Sequence, residues 1–410
     1  MKKLFALFLS FALLFLTSCN NSPADSTIGT GNPQNPIQPN ETEQKDTIIY
    51  NETSDFIDLP SRIAYKHVHY LSHNHGITQI HYYSKADGKS YAYCFDPLCE
   101  HPGGYCFVHP SSMETGYIDL YTTLFINNRF YAMSMNGKII SYSFDGIDMK
   151  IEYDAGYDIN ANVWSPNPTS YGNYIYIPMR ADEKGNPHTL RFNTETGEME
   201  DLTEKTGNYI FPIFFYNGEI YGYDAGVGRL KSDLDLNDCE ETEKIPFSRH
   251  FSGSRFFNQA YDDKWNAIGI QIYDMKTGKS EIMTNEAIGI ENAPYILYID
   301  DNYIYFYQGE SIYLGDYLYK DDDVRKYTKG NDGSIYRINH DGTGLMCIYE
   351  EDEFEITGFE AIISGNQFLV KGHNVRVHDR QVEVWDTDLL VGTIGADGKI
   401  SELKPVEVVE

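Results

Sequence analysis

A two-part unit recurs along this chain and limits its possible folds more than any other feature of the sequence. The first part is a turn of Asn, Asp or Gly followed by an aromatic strand, with copies at Asn127, Tyr171, Asn217, Asp300 and Ser364. The second part is a strand with a tight turn, marked by Gly88, Gly146, Gly197, Gly278, Gly342 and Gly398. These glycines supply the positive φ of a hairpin turn, and alternation such as that of residues 174–177 is typical of a strand.

The repeat predicts an all-β fold, a single β-propeller. From Gly88 to Gly398 the chain contains six intervals of about 52 residues, when one further turn that lacks glycine is counted with the six named here. This period fits a four-stranded blade with its loops. A pair of β-sandwiches or a solenoid would give a different period. We predict seven blades rather than six or eight, with starts near residues 61, 122, 169, 213, 252, 296 and 360. The sixth carries an insertion over residues 308–330, and the fourth lacks the turn glycine.

Closure of such a ring commonly needs a strand from the N-terminus. Residues 46–50 are apolar enough for this strand. We therefore expect them to complete the last blade, beside residues 400–409.

The N-terminus has the pattern of a bacterial lipoprotein signal. Lys2 and Lys3 precede a short apolar run, which is followed by Leu16, two small residues and Cys19. We predict a signal peptide over residues 1–18 and a lipid, diacylglycerol with palmitate, on Cys19. Residues 19–45 are rich in Asn, Pro, Ser and Thr and are expected to form a disordered linker, with the propeller over 46–410. The protein is then exported and held on the extracytoplasmic side of the cell membrane, at the cell surface.

Charge and composition narrow the range of partners. The formal net charge is −29, which repels nucleic acid and anionic lipid surfaces. We therefore expect no nucleic-acid partner, a membrane contact through the lipid alone, and a monomer. Aromatic residues make up 14% of the chain, mostly Tyr and Phe, in keeping with strands.

The blade units resemble a family of clostridial propeller lipoproteins known only by a domain-of-unknown-function label. Their blade style is similar to that of the periplasmic Tol-system propellers. The resemblance covers about residues 60–405. It implies the fold and no catalytic residue.

The segment from Cys94 to His109 is the most unusual in the chain, and its Asp-Pro-x-Cys-x-His element resembles one in the same family. Three hypotheses remain open for it. A disulfide among its cysteines would staple a loop outside the cytoplasm. Alternatively, a zinc ion would be the one cofactor of the protein. A free thiol is the third hypothesis. The candidate residues are Cys94, Cys99, His101, Cys106 and His109.

His67 and His69 are two residues apart and therefore lie on one face of a predicted strand, as a metal-binding pair would. We favour the simpler interpretation of a solvated hairpin edge. Trp164, Trp265 and Trp385 are candidate ligand contacts, although each also suits a core position.

No nucleophile elbow, zinc-protease, phosphate-loop or dinucleotide motif is present in the sequence. We therefore predict a non-enzymatic binding module that holds a surface protein or a glycan on one face of the propeller. The alternative is an exported polysaccharide-acting hydrolase or lyase with its site in the channel. Channel carboxylates of perturbed pKa would favour the enzyme, and apolar channel side chains would favour the binding module.

Overall fold

The computed structural model describes residues 46–50, 56–72, 75–92, 124–133, 138–143, 148–154, 168–179, 186–224, 226–242, 245, 248–264, 266–309, 331–350, 361–378 and 381–409. Their strands form seven antiparallel sheets arranged as the blades of a β-propeller, which confirms the predicted fold. No helix in the described ranges is long and apolar enough to cross a bilayer. The insertion predicted in the sixth blade over residues 308–330 lies outside these ranges from residue 310 onwards.

Each blade is built from four consecutive strands, here called A to D. Blades one to four contain β2 (Phe56–Leu59), β3 (Arg62–Ser72), β4 (His75–Ser84), β5 (Ser90–Ala92); β6 (Leu124–Ile126), β7 (Arg129–Met133), β8 (Lys138–Ser143), β9 (Met149–Asp154); β10 (Thr169–Tyr171), β11 (Tyr174–Met179), β12 (His188–Asn193), β13 (Met199–Asp201); β14 (Phe211–Tyr216), β15 (Glu219–Asp224), β16 (Gly228–Asp233), β17 (Glu240–Glu241).

Blades five to seven contain β18 (Phe251–Ser252), β19 (Arg255–Tyr261), β20 (Ala267–Asp274), β21 (Lys279–Thr284); β22 (Pro294–Ile299), β23 (Tyr303–Gly309), β24 (Asn331–Asn339), β25 (Met346–Tyr349); β26 (Ala361–Ser364), β27 (Gln367–His378), β28 (Gln381–Thr393), β29 (Lys404–Pro405). Short helices α1 (Leu202–Thr206) and α2 (Asn285–Ile288) follow blades three and five. Two further strands, β1 (Ile48–Tyr50) and β30 (Val408–Val409), extend blades four and one.

The predicted starts of blades two to seven lie within two residues of their A strands. Blade one begins at Phe56 rather than near 61, because its A–B turn is Pro60-Ser61 and lacks the Asn/Gly signal. In blade four, Leu236 takes the positive φ of the missing glycine, at 58°.

Apolar side chains fill the seven gaps between neighbouring blades in the described part of the ring. Strand alternation sends successive residues to opposite faces of a sheet, so each blade contributes to two gaps. In blade four, for example, Phe214 packs towards blade five and Phe215 towards blade three. The gap between blades seven and one, which closes the ring, contains Phe56, Ile63, Leu369 and Val406. Burying each such side chain stabilises the fold by about 1.5–3 kcal/mol.

The prediction that the N-terminal strand completes the last blade is wrong. β1 pairs antiparallel with β14, the A strand of blade four, from Ile48↔Tyr216 to Tyr50↔Phe214. Contacts between A strands of successive blades show that they are the innermost strands, so β1 lies on the channel side. Ile48 packs into the gap towards blade five and Ile49 into the gap towards blade three.

The C-terminal strand instead joins the two ends of the ring. β30 pairs in parallel with β5 on the outer edge of blade one. Ser90 N–H donates to the Glu407 carbonyl at 2.8 Å, and Lys89 Nζ lies 2.8 Å from Glu407 Oε1. The final residues thus cross from blade seven to blade one.

We predict that Ile48→Ala lowers the free energy of unfolding by about 2–5 kcal/mol, because it leaves a cavity between two blades. The matched control is Ile151→Ala, since Ile151 is 48% exposed on the outer strand β9. This control should change stability by less than about 0.5 kcal/mol. Urea unfolding of the purified protein measures both values. Equal losses in the two variants would contradict the inner position of β1.

Candidate ligand-binding face

The two ends of the ring differ in construction. The A–B and C–D turns lie at one end, here named the tight-turn face. Several are two-residue turns with positive φ, such as Asn217 (52°) and Gly218 (77°) between β14 and β15. The B–C turns and the connections from each D strand to the next A strand lie at the other end, here named the loop face.

The N-terminal strand enters at the tight-turn face. Asp46 N–H donates to Asn217 Oδ1 at 2.8 Å, and Asp46 Oδ2 lies 2.7 Å from Lys276 Nζ. Ile48 N–H donates to the carbonyl of Gly253 at 2.9 Å. Asn217, Gly253 and Lys276 all belong to A–B or C–D turns, so β1 runs from this face along the channel towards the loop face.

Most of the candidates taken from the sequence lie outside the described residues. These are Cys19, Cys94, Cys99, His101, Cys106, His109, Trp164 and Trp265. Their proposed roles in lipidation, a disulfide, a zinc site or ligand contact therefore stay predictions. No group of three or more His, Cys, Asp and Glu residues suited to a metal occurs within the described ranges.

The other three candidates lie on long B–C hairpins of neighbouring blades. His67 and His69 occupy β3, paired with Gln79 and Ile77, and Trp385 occupies β28, paired with Asn374. β27 continues to His378, although its partner β26 ends opposite Val370. The hairpins of blades one and seven therefore project from the loop face, and the fold brings all three positions to that face. Only their backbones are described.

Irregular strand pairing is concentrated at the same end of the ring. Most register shifts in the described strand pairs lie in the half of the blade nearer the loop face, for example at Pro212/Phe214, Ala260/Tyr261 and Tyr307/Gly309, whereas the shift at Ile296/Tyr298 lies in the middle of blade six. Bulges re-aim side chains and are common beside functional sites. The tight-turn face keeps regular register in the described blades.

Tyrosines that the sequence analysis missed stand at this irregular end. Tyr223 is the penultimate residue of the B strand of blade four and Tyr261 the last residue of that of blade five, and they are 40% and 50% exposed. Phe211 stacks on Tyr223 with 4.7 Å between ring centroids, and Tyr295 stacks on Tyr307 at 5.0 Å in blade six. A usable signal was present, because both exposed tyrosines directly precede an Asp that opens a B–C turn.

The B–C turns that follow Tyr223 and Tyr261 are stabilised by aspartate carboxylates. Asp224 Oδ1 accepts from the N–H groups of Gly226 and Val227 at 2.6 and 3.0 Å. Asp262 accepts from the backbone of Lys264 and from both the backbone and side chain of Asn266. The bonds from Asn266 are the main reason that the pKa of Asp262 lies below its usual value. The tyrosines are thus flanked by ordered polar groups.

His250 lies in the connection that enters blade five. Its carbonyl accepts from Phe257 N–H at 2.9 Å, and its own N–H donates to Ser248 Oγ at 3.0 Å. Burial, helped by the positive charge of Arg249, lowers the pKa of His250 to about 3. The ring is therefore neutral at physiological pH.

No protein-family model and no curated sequence matches this chain. Solved structures with similar architecture include an oligogalacturonate lyase from Vibrio parahaemolyticus, at 10% identity and a TM-score of 0.40, covering 87% of this chain and 90% of that one. The β-propeller domain of the Trilobed protease from Pyrococcus furiosus gives 12% identity, a TM-score of 0.43, and coverage of 87% and 95%. A TolB protein from Agrobacterium tumefaciens gives 13% identity and a TM-score of 0.25, covering 68% of this chain and 76% of that one. Values at this level carry no statement on function.

We predict that His250 makes the protein less stable as the pH falls. Its folded pKa is below the value of about 6.5 in an unfolded chain, so between these values the unfolded state binds the extra proton. Stability is present above about pH 6.5 and is lost towards pH 3. His250→Gln should remove up to about 2 kcal/mol of the loss between pH 7.5 and 5. Urea unfolding at both pH values measures this difference, and parallel pH profiles for the two proteins would contradict it.

Proposed function

We propose that the protein is an exported lipoprotein, anchored through Cys19, and that its propeller is a non-enzymatic binding module that uses the loop face. The anchor rests on the signal sequence and lipobox that end at Cys19. The folded domain then presents its ligand site outside the membrane that holds the lipid.

The course of β1 is the observation that carries this proposal. Asp46 is tied to the turns of blades four and five at the tight-turn face. A linker that precedes Asp46 therefore joins the ring at the tight-turn face. The loop face is thus the end of the ring opposite the proposed anchor.

The unequal construction of the two faces supports the same choice. The long hairpins of blades one and seven, most of the register shifts and the exposed tyrosines belong to the loop face. On the channel side, β1 contributes Ile48 and Ile49, both packed against apolar neighbours.

The test covers each face in turn with a bulky polymer. An azide-bearing residue is placed at Val227, which is 55% exposed in a loop-face turn, and a polyethylene glycol chain is attached to it. The matched control carries the same polymer at Glu195, an exposed residue in the C–D turn of blade three. The assay measures retention of solubilised cell-envelope protein and glycan fractions by the immobilised protein.

We expect the polymer at Val227 to reduce retention and the polymer at Glu195 to leave it unchanged. The physical reason is steric, since the two sites lie on opposite ends of the ring. Loss of retention with the polymer at Glu195 alone, or no retention by the unmodified protein, would overturn the proposal.

A further inference from the structure

The exposed tyrosines of the loop face have the properties of a carbohydrate platform. Aromatic side chains are usually buried, yet Tyr223 and Tyr261 leave 40% and 50% of their surface in water. Tyr223 is the penultimate residue of its B strand and Tyr261 the last residue of its own, in adjacent blades. Both rings are therefore exposed near the loop-face ends of neighbouring B strands.

The Tyr223 ring is fixed from behind. Phe211 pairs with Tyr223 across β14 and β15, and their rings stack with an interplanar angle of 22°. The residue before Tyr223, Gly222, allows β14 and β15 to approach closely, because a Cβ at this position would lie 2.0 Å from the Phe211 carbonyl oxygen. A ligand that stacks on Tyr223 therefore meets a ring already ordered, which lowers the entropic cost of binding.

The Tyr261 ring is fixed through its hydroxyl group. The hydroxyl donates to Gln259 Oε1, and Gln259 Nε2 donates to the Pro294 carbonyl of blade six at 3.1 Å. This chain of hydrogen bonds ties the exposed ring of blade five to its neighbour. In blade six, half-buried Tyr295 stacks on Tyr307 and continues the aromatic series.

The charge of the protein and the nature of these side chains select the ligand class. A net charge of −29 disfavours polyanions. Flat tyrosine rings offer an apolar face and a polar edge, which match the C–H face and the hydroxyl groups of a pyranose. The adjacent turns contain Asp224, Asp262 and Asn266, which can bond sugar hydroxyl groups.

We propose that a platform formed by Tyr223, Tyr261 and Tyr295, and supported from within by Phe211, Gln259 and Tyr307, binds a neutral oligosaccharide along blades four to six. Separate rings on successive blades suit an extended chain of sugar units rather than a single sugar. This inference rests on the proposed function and names the ligand class of the same face.

The test uses the intact protein in detergent with a panel of neutral hexasaccharides, namely cello-, malto-, manno- and xylohexaose. Hyaluronan hexasaccharide is the anionic comparison. Calorimetry gives Kd for the wild type and for Tyr223→Ala, Tyr261→Ala and the ring-preserving Tyr223→Phe. The matched control is Tyr91→Ala, since Tyr91 also stacks on a tyrosine, Tyr82, but bonds Asp87 in a tight-turn-face turn.

We expect at least one neutral hexasaccharide to bind and the anionic one to bind more weakly. Each alanine variant should weaken binding about three- to tenfold, the value of one aromatic contact. Tyr223→Phe and Tyr91→Ala should bind as the wild type does.

Two results would overturn the inference. One is saccharide binding that the loop-face alanine variants leave unchanged, which would place the site elsewhere. The other is the absence of binding to every neutral hexasaccharide. If no saccharide bound but the polymer at Val227 still blocked retention of envelope protein, only the proposed ligand class would be wrong. If no saccharide bound and the polymer at Val227 also had no effect, the proposed function would be wrong as well.

Discussion

Apolar packing between neighbouring blades is the interaction on which the rest of this structure depends. A single four-stranded sheet would leave both of its apolar faces in water, so each blade needs a neighbour on each side. The cluster of Phe56, Ile63, Leu369 and Val406 meets this need where the ring closes. Because the blades hold one another, their turns and loops can differ freely at the two ends without loss of the core.

The N-terminal strand shows how the same packing also determines the end of the ring at which the chain enters. Ile48 and Ile49 face opposite ways on β1, and on the inner edge of blade four each packs into one of the two gaps beside that blade. This position brings the chain in at the tight-turn face. The loop face carries the long hairpins, most of the bulges and the exposed tyrosine rings, and the proposed binding role uses this face.

The fold was predictable because a propeller repeats its turn chemistry, and glycine and asparagine turns mark the repeat. The partner of β1 was not predictable, since pairing of Ile48 with Tyr216 depends on a contact far along the chain. The candidate site was predicted only in part. The Asp that follows each of Tyr223 and Tyr261 is a local signal for a B–C turn, but the exposure of the two rings depends also on the β-bulges and strand ends beside them, which arise from pairing with other strands.

Hydrogen exchange of the backbone amides of residues 46–50 tests the account most directly, because the course of β1 decides which face is free. With β1 paired to β14 and Ile48 N–H bonded to the Gly253 carbonyl, this peptide should exchange as slowly as residues 211–216. Exchange at the rate of an open chain, while residues 211–216 stay protected, would contradict the pairing of β1 with β14 and the choice of the loop face as the binding surface.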